Sequence, residues 1–148
     1  MQKVHGFPLA LDRGYHPDTH MWVKLTAPGR VRIGMDSLGV EISGTLAELS
    51  LPPPGVVLTA GQPFGQLEAV KFVGPLISPV SGTVLACNTA AAADPGLVER
   101  DPFGDGWLIE AELTGPGELD VLLSDPEEIT AWYAASIVDY RSRGAIAE

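Results

Sequence analysis

The 148 residues contain three lysines, Lys3, Lys24 and Lys71, and only Lys71 lies between two apolar, strand-like runs. The segment reads Gln66-Leu67-Glu68-Ala69-Val70-Lys71-Phe72-Val73-Gly74-Pro75-Leu76-Ile77-Ser78-Pro79-Val80-Ser81-Gly82. Gly65–Val70 suits an entering strand and Leu76–Pro79 a leaving one, so Lys71 through Pro75 are expected to form an exposed bend. Gly74 tolerates unusual dihedrals and Pro75 fixes one, which supports a turn there. A lysine on such a tip offers an accessible amine to a modifying ligase. Acylation would take the formal net charge from −10 to −11 and add a long arm. On spacing alone, a lysine on a turn is more often simply solvated.

The other reactive side chains point to less. Cys87, in Val84-Leu85-Ala86-Cys87, is the single cysteine and has no internal disulfide partner. It reads as a small buried hydrophobe, because no basic partner for a thiolate is evident. His5, His16 and His20 lack the accompanying cysteines of a metal site, and no metal is expected. Gly104-Asp105-Gly106 resembles a fragment of a phosphate loop but lacks the following Gly-Lys-Ser/Thr, so it reads as a turn feeding a Trp107 strand. No Gly-x-Ser-x-Gly or comparable nucleophile motif is present.

What must position Lys71 is a β framework. Thirteen prolines and seventeen glycines punctuate the chain, most of them before residue 115. Short apolar runs between them predict strands at Trp22–Leu25, Val31–Met35, Leu46–Leu51, Val56–Leu58, Pro63–Val70, Leu76–Ile77, Gly82–Asn88 and Trp107–Leu113. Such a pattern indicates a sandwich or barrel. Short helices are expected near Asp36–Ile42 and Thr89–Ala93. Ser124-Asp125-Pro126-Glu127-Glu128 reads as a capped helix start, with acids at the positive end of the dipole. Ile129, Trp132, Tyr133, Ile137 and Tyr140 recur at helical spacing, Arg141 and Arg143 fall in the last turn, and Gly144 is a stop. The N-terminal segment has no clear periodicity and reads as a loose arm or an added edge strand. The expected organisation is an arm over 1–14, a β domain over 15–115 and a helical segment over 116–148 packed on it.

Nine basic against nineteen acidic residues argue against nucleic acid and against an anionic membrane surface. No apolar run approaches a membrane span, and the N-terminus lacks the layout of a secretory signal. A cytoplasmic location is expected.

Around Lys71 the chain resembles the H protein of the glycine cleavage system. His20-Met21-Trp22-Val23 resembles that family's His-x-Trp-Val strand. Gly34, Gly44 and Leu51-Pro52 fall at its spacing. Glu68-Ala69-Val70-Lys71 resembles its Glu-Ser-Val-Lys lipoylation signature, Ser78-Pro79-Val80-Ser81-Gly82 matches its Ser-Pro-Val-Ser-Gly, and Asp101-Pro102-Phe103-Gly104-Asp105-Gly106-Trp107-Leu108 resembles its Asp-Pro-Tyr-Gly-x-Gly-Trp-Leu. The resemblance runs from about Tyr15 to Leu113. It implies a mostly β fold, a flattened barrel or sandwich of two antiparallel sheets with short helices and a C-terminal helix (a barrel-sandwich hybrid). It also implies lipoate joined covalently to Lys71, with Glu68, Val70, Phe72 and Gly74 as the recognition hairpin and His20 as a neighbour of the arm. On this reading the protein is a carrier and not an enzyme. Its implied partners are a lipoate ligase or lipoyl transferase, dihydrolipoyl dehydrogenase, and the enzymes that load the arm.

Two departures bear on the cargo. Met21 and Pro75 stand where the family commonly has Glu and Asp, whose carboxylates hold the ammonium of the aminomethyl-loaded arm. Glu41, Glu48 or Glu68 are candidates to compensate. A further departure is Glu99, where Asn is usual. Lys71-Phe72-Val73-Gly74-Pro75 is similar to the Lys-Trp-Val-Gly-Pro run of H-like lipoate-binding proteins that serve a heterodisulfide-reductase-like complex in sulfur oxidation. The expected cargo is therefore a sulfur compound, with the aminomethyl group of glycine cleavage as the alternative. A biotin carrier is disfavoured, because Val70-Lys71-Phe72 replaces the Met-Lys-Met of that family. An unmodified H-like scaffold is a further alternative.

Overall fold

The computed structural model describes residues 1–147 and contains eleven strands and four α-helices. In chain order these are β1 (Gln2–Val4), β2 (Phe7–Leu9), β3 (Gly14–His16), β4 (Met21–Ala27), β5 (Arg30–Met35), α1 (Ser37–Ser43), β6 (Leu46–Ser50), β7 (Val57–Leu58), β8 (Pro63–Ala69), β9 (Val73–Ile77), β10 (Gly82–Cys87), α2 (Thr89–Ala93), α3 (Gly96–Arg100), β11 (Ile109–Leu113) and α4 (Pro126–Ser142). A short 3₁₀ turn over Pro116–Val121 precedes α4. Three antiparallel sheets result: β1-β2, β3-β4-β5-β11-β10-β7 and β6-β8-β9. The mostly β expectation holds.

The two larger sheets share an aliphatic core. Along β8, Phe64, Leu67 and Ala69 are buried, with exposed Gln66 and Glu68 between them. This is the period of a strand with one face inward. Val31, Ile33, Val80, Leu108, Ile109 and Ala111 join Leu67 in full burial. Each large aliphatic side chain contributes roughly 1.5–3 kcal/mol by leaving water.

A second cluster lies under α4. Asp125 caps that helix by accepting from the Glu128 N–H at 3.0 Å, and Pro126 occupies its first turn. Ile129, Tyr133 and Ile137 are fully buried, whereas Trp132 and Tyr140 are only partly so. Tyr15, Trp22, Leu38, Phe103 and Leu9 belong to the same cluster. Tyr133 bonds Ser37 and accepts the Leu38 N–H at 2.9 Å, tying α4 to the start of α1.

Several expectations need correction. The N-terminal segment is neither a loose arm nor an edge strand of a main sheet. It is a hairpin of its own, turning at His5 (φ 48°) and Gly6 (φ 89°), with Val4 and Leu9 buried in the second cluster. β3, α3 and the 3₁₀ turn were not expected. Trp107 lies outside β11, because the Asn88 side-chain amide binds the Asp105 and Trp107 carbonyls at 2.8 and 2.7 Å and draws that backbone off the ladder. Cys87 is half-buried at the edge of the aliphatic core and not within it.

Candidate functional site

Lys71 stands at the tip of the β8–β9 hairpin, and the bend is tighter than the sequence suggests. Glu68 pairs Val73, Leu67 pairs Gly74 and Gln66 pairs Pro75, so Gly74 and Pro75 belong to strand β9 and not to the turn. Pro75 is tolerated because β9 is an edge strand, where one missing N–H costs no ladder bond. The bend itself is Val70 to Phe72, closed by the Ala69 N–H donating to the Phe72 carbonyl at 2.8 Å. Gly74 serves another purpose: a Cβ there would lie 3.0 Å from Phe72 Cζ, so its absence lets the ring fold onto β9.

The tip is fastened to the loop after α1. Lys71 N–H donates to the Ser43 carbonyl at 2.9 Å and Val70 N–H to the Thr45 carbonyl at 3.0 Å. Between those anchors Gly44 adopts φ 77°, which favours glycine. A Cβ at Gly44 would lie 3.2 Å from Lys71 Cε, so the lysine stem rests across a bare backbone. Nζ reaches the Ala145 carbonyl at 3.4 Å, a long hydrogen bond. The backbone is held while the side chain remains exposed, as do Val70, Phe72 and Val73.

Lys71 separates two clefts. The first, of about 310 Å³, is mainly apolar and is lined by His20, Met21, Ile42, Phe72, Pro75 and Tyr140 among others. Among the described residues, Asp18 is its one carboxylate. The second, of about 390 Å³, holds Glu41 and Glu99 beside Val70 and Lys71. Glu68 lies opposite Glu48 across β8 and β6, and neither lines either cleft.

His20 is the most constrained polar group of the first cleft. It is buried at φ 56°, with Nδ1 at 2.9 Å from Asp36 Oδ2. Asp36 is fully buried, and its other oxygen caps α1 by accepting the Gly39 N–H at 2.7 Å. One carboxylate therefore sets both a helix start and an imidazole, which favours the tautomer donating Nδ1–H. Trp132 stacks on His20 at 5.1 Å and Tyr140 tilts against it at 5.8 Å. Burial, then the nearby Asp36 charge, pushes the Tyr15 and Tyr133 phenols well above the ordinary tyrosine range.

Lys71, Val70 and Phe72 thus share the tip, Gly74 stands beside it on β9, and His20 shares the first cleft with Lys71 and Phe72. Glu68 stands apart on the open face of β8. The sequence reading missed Asp36 as a partner of His20, Tyr140 as a cleft wall and Ala145 as an acceptor. Asp36 was legible as a cap from Asp36-Ser37-Leu38-Gly39, but nothing local told where its second oxygen points. Among the described residues, no group of three or more His, Cys, Asp or Glu side chains is arranged to hold a metal ion, and no helix is long and apolar enough to cross a membrane.

Comparison with known proteins adds a family. The model described as Glycine cleavage H-protein matches residues 14–135. A glycine cleavage system H protein from Mycobacteroides abscessus is 37% identical over 111 residues, covering 75% of this chain and 85% of the relative. One from Gloeobacter violaceus is 41% identical over 101 residues, covering 68% and 78%. The crystal structure of a glycine cleavage system H protein from Mycobacterium marinum aligns with a TM-score of 0.68 at 38% identity, over 72% of this chain and 87% of that one.

Proposed function

The chain belongs to the glycine cleavage H-protein family, and from that premise we propose that it is a lipoyl carrier modified on Lys71. The cofactor of the family is lipoate, held covalently on a lysine. One observation carries the assignment here: Lys71 ends the Glu68-Ala69-Val70-Lys71 run at a bend whose backbone is tied at Ser43 and Thr45 while its amine stays exposed. A ligase or lipoyl transferase needs that combination of fixed backbone and accessible amine. Lys3 and Lys24 lie on other strands, away from this hairpin. The apolar cleft beside Lys71 fits a hydrocarbon arm, since small-ligand sites start near ~300 Å³ and are mostly apolar.

Bound lipoate supplies a cyclic disulfide whose ring strain opens it to thiolate or carbanion attack. The chain's own residues position it. Gly44 clears a path for the lysine stem, and Phe72 and Tyr140 wall the apolar cleft. No residue is assigned a catalytic role; the loaded arm is the substrate of partner enzymes. Those partners are the lipoate-attaching enzyme, the glycine cleavage enzymes and dihydrolipoyl dehydrogenase, and the setting is cytoplasmic.

The cargo best supported is the aminomethyl group of glycine, because the relatives are glycine cleavage system H proteins. One observation favours a second reading. Met21 and Pro75 line the first cleft and, among the described residues, leave Asp18 as its only acid, so a cationic cargo there has a single carboxylate from these residues. Burying a cation without a partner is unfavourable. A sulfur cargo exchanged with a heterodisulfide-reductase-like complex carries no such cation.

Lys71→Arg tests the site. Arginine keeps the charge but offers no acylatable amine. Incubation with lipoate ligase is expected to add about 188 Da to the native chain and nothing to the variant. Uptake of lipoate by Lys71→Arg protein would move the site elsewhere. For the cargo, efficient glycine-dependent loading by glycine decarboxylase supports the aminomethyl reading. No glycine-dependent loading, together with thiol-linked loading from a sulfur compound, supports the second.

A further inference from the structure

The matched family region spans residues 14–135, and the chain continues on both sides of it. The two flanks meet beside Lys71. At the end of α4, Gly144 adopts φ 72°. Its N–H donates to the Arg141 carbonyl at 3.1 Å, and the Ala145 N–H donates to the Tyr140 carbonyl at 2.9 Å. This pair of bonds reverses the chain in a Schellman motif. Ile146 is then buried in the same cluster as Val4 and Leu9 of the N-terminal hairpin. Arg141 fastens both flanks: its Nη2 donates to the His5 carbonyl at 3.0 Å and its Nε to the Ala147 carbonyl at 3.2 Å, with its guanidinium 5.8 Å from the Phe7 ring centre.

The strap so formed carries the Ala145 carbonyl to Lys71 Nζ, and the helix turn before it carries Tyr140 into the apolar cleft. We propose that this strap, Gly144 to Ala147 locked by the N-terminal hairpin, positions the root of the acylated Lys71, with the Ala145 carbonyl and Tyr140 as its positioning groups. The proposal rests on the lipoyl reading of Lys71. Acylation converts the ammonium to an amide, removing its charge and leaving one N–H. A backbone carbonyl accepts from either form, so the contact survives modification, whereas a carboxylate partner would lose its counter-charge. The amide N–H held at Ala145 turns the arm toward the wall made by Tyr140, His20 and Phe72, away from the Glu41–Glu99 side.

The test uses full-length protein lipoylated in vitro with lysine labelled at Nζ with nitrogen-15. Intact mass reports whether Lys71 takes the group. Hydrogen exchange of the side-chain amide N–H then reports the strap. The comparison variants are a truncation after Arg143, Ile146→Asp, which expels the anchor, and Arg141→Gln, which unties the strap at the surface and spares the core. Exchange in native protein is expected to be slower than in each variant by about fivefold, the scale of one modest hydrogen bond. Reduction of the dithiolane by a phosphine should be slower in native protein than in Tyr140→Ala. Equal exchange in native and Arg141→Gln protein, together with equal exchange in either other variant that keeps native circular dichroism, overturns the proposal. A chain that takes up no lipoate fails at the mass measurement, which removes the lipoyl reading itself. Normal uptake with strap-independent exchange removes only the strap.

Discussion

The two hydrophobic clusters are built from different chemistry. The one shared by the larger sheets is almost wholly aliphatic: Val31, Ile33, Leu67, Val84, Leu108 and their neighbours. The one under α4 is aromatic and threaded with directed bonds. Tyr15 donates to the Ala10 carbonyl, and Trp22 Nε1 is shared between the Met35 and Pro102 carbonyls, each at 3.0 Å. Tyr133 bonds Ser37 and Leu38, and His20 bonds Asp36. Aliphatic burial is strong but non-directional. It can hold two sheets together without deciding where any polar group points. The polar tips of the second cluster decide that, and one of them, His20, lines the cleft beside Lys71. One cluster holds the hairpin up, and the other orients what surrounds its tip.

Removing volume from the first cluster should therefore cost the most stability and disturb the site least. Leu108→Ala is expected to destabilise by about 2–5 kcal/mol, the usual loss for a fully buried leucine. Denaturant unfolding measures it. Protein that remains folded should still be lipoylated on Lys71, since Leu108 lines neither cleft and the bonds from Lys71 and Val70 to Ser43 and Thr45 are made by other segments.

Tyr133→Phe removes one oxygen from the second cluster and no volume. It leaves the buried Leu38 N–H without its side-chain partner and removes one bond from Ser37, which keeps its donation to the Pro8 carbonyl at 2.6 Å. A loss of about 1–3 kcal/mol is expected, the cost of an unsatisfied buried donor. Amide exchange at Leu38 should accelerate more than exchange in β5. Uniform acceleration would mean that the two clusters do not separate in function.

Alkaline pH probes the same phenols without mutation. Folding raises the pKa of Tyr15 and of Tyr133, first through burial and then through Asp36. Their contribution to stability is complete below the unfolded value of about 10 and is lost as pH rises beyond it, because the unfolded chain releases those protons first. Phenolate absorbance from Tyr15 and Tyr133 should appear only together with loss of circular dichroism. Earlier ionisation of either in native protein would show that the cluster is open to water.

How much of this was legible differs between the two regions. Strands β4, β5, β8 and β10 follow from apolar runs whose meaning is local, and Glu68-Ala69-Val70-Lys71 marks the hairpin tip by pattern. The place of the bend was misread because Gly74-Pro75 is a turn signal whose meaning depends on sheet position. Only the order β6-β8-β9 makes β9 an edge that accepts a proline. The N-terminal hairpin was missed for another reason. His5-Gly6 is a fair two-residue turn signal, but Val4 and Leu9 acquire their apolar surroundings from α4, more than a hundred residues away. The pairing of His20 with Asp36 is similarly long-range. The aliphatic core is written in periodicity; the cluster beside the site is written in contacts between distant segments.

The smallest effect sharpens the contrast from the ionic side. Arg13 lies against the second cluster, 4.6 Å from the Trp22 ring centre and 5.5 Å from that of Phe103, and donates to the Phe103 carbonyl at 2.8 Å. Its salt bridge to Asp12, 2.8 Å long, points outward to a carboxylate that is 57% exposed. The hydrogen bond from Arg13 is the largest influence and lowers the Asp12 pKa; burial opposes it, and the Arg13 charge and then Lys24 add to the lowering. A lowered carboxylate stabilises above its unfolded pKa and loses that contribution as pH falls through the folded one. Solvent screening keeps it small, so Asp12→Asn should cost less than about 0.5 kcal/mol at neutral pH, with the difference from native protein vanishing in acid. Arg13 is placed by two aromatic faces and a carbonyl, which the variant leaves intact. A loss of several kcal/mol instead would show that an ion pair holds the arginine in place, and that this cluster depends on charge as much as on its aromatic rings.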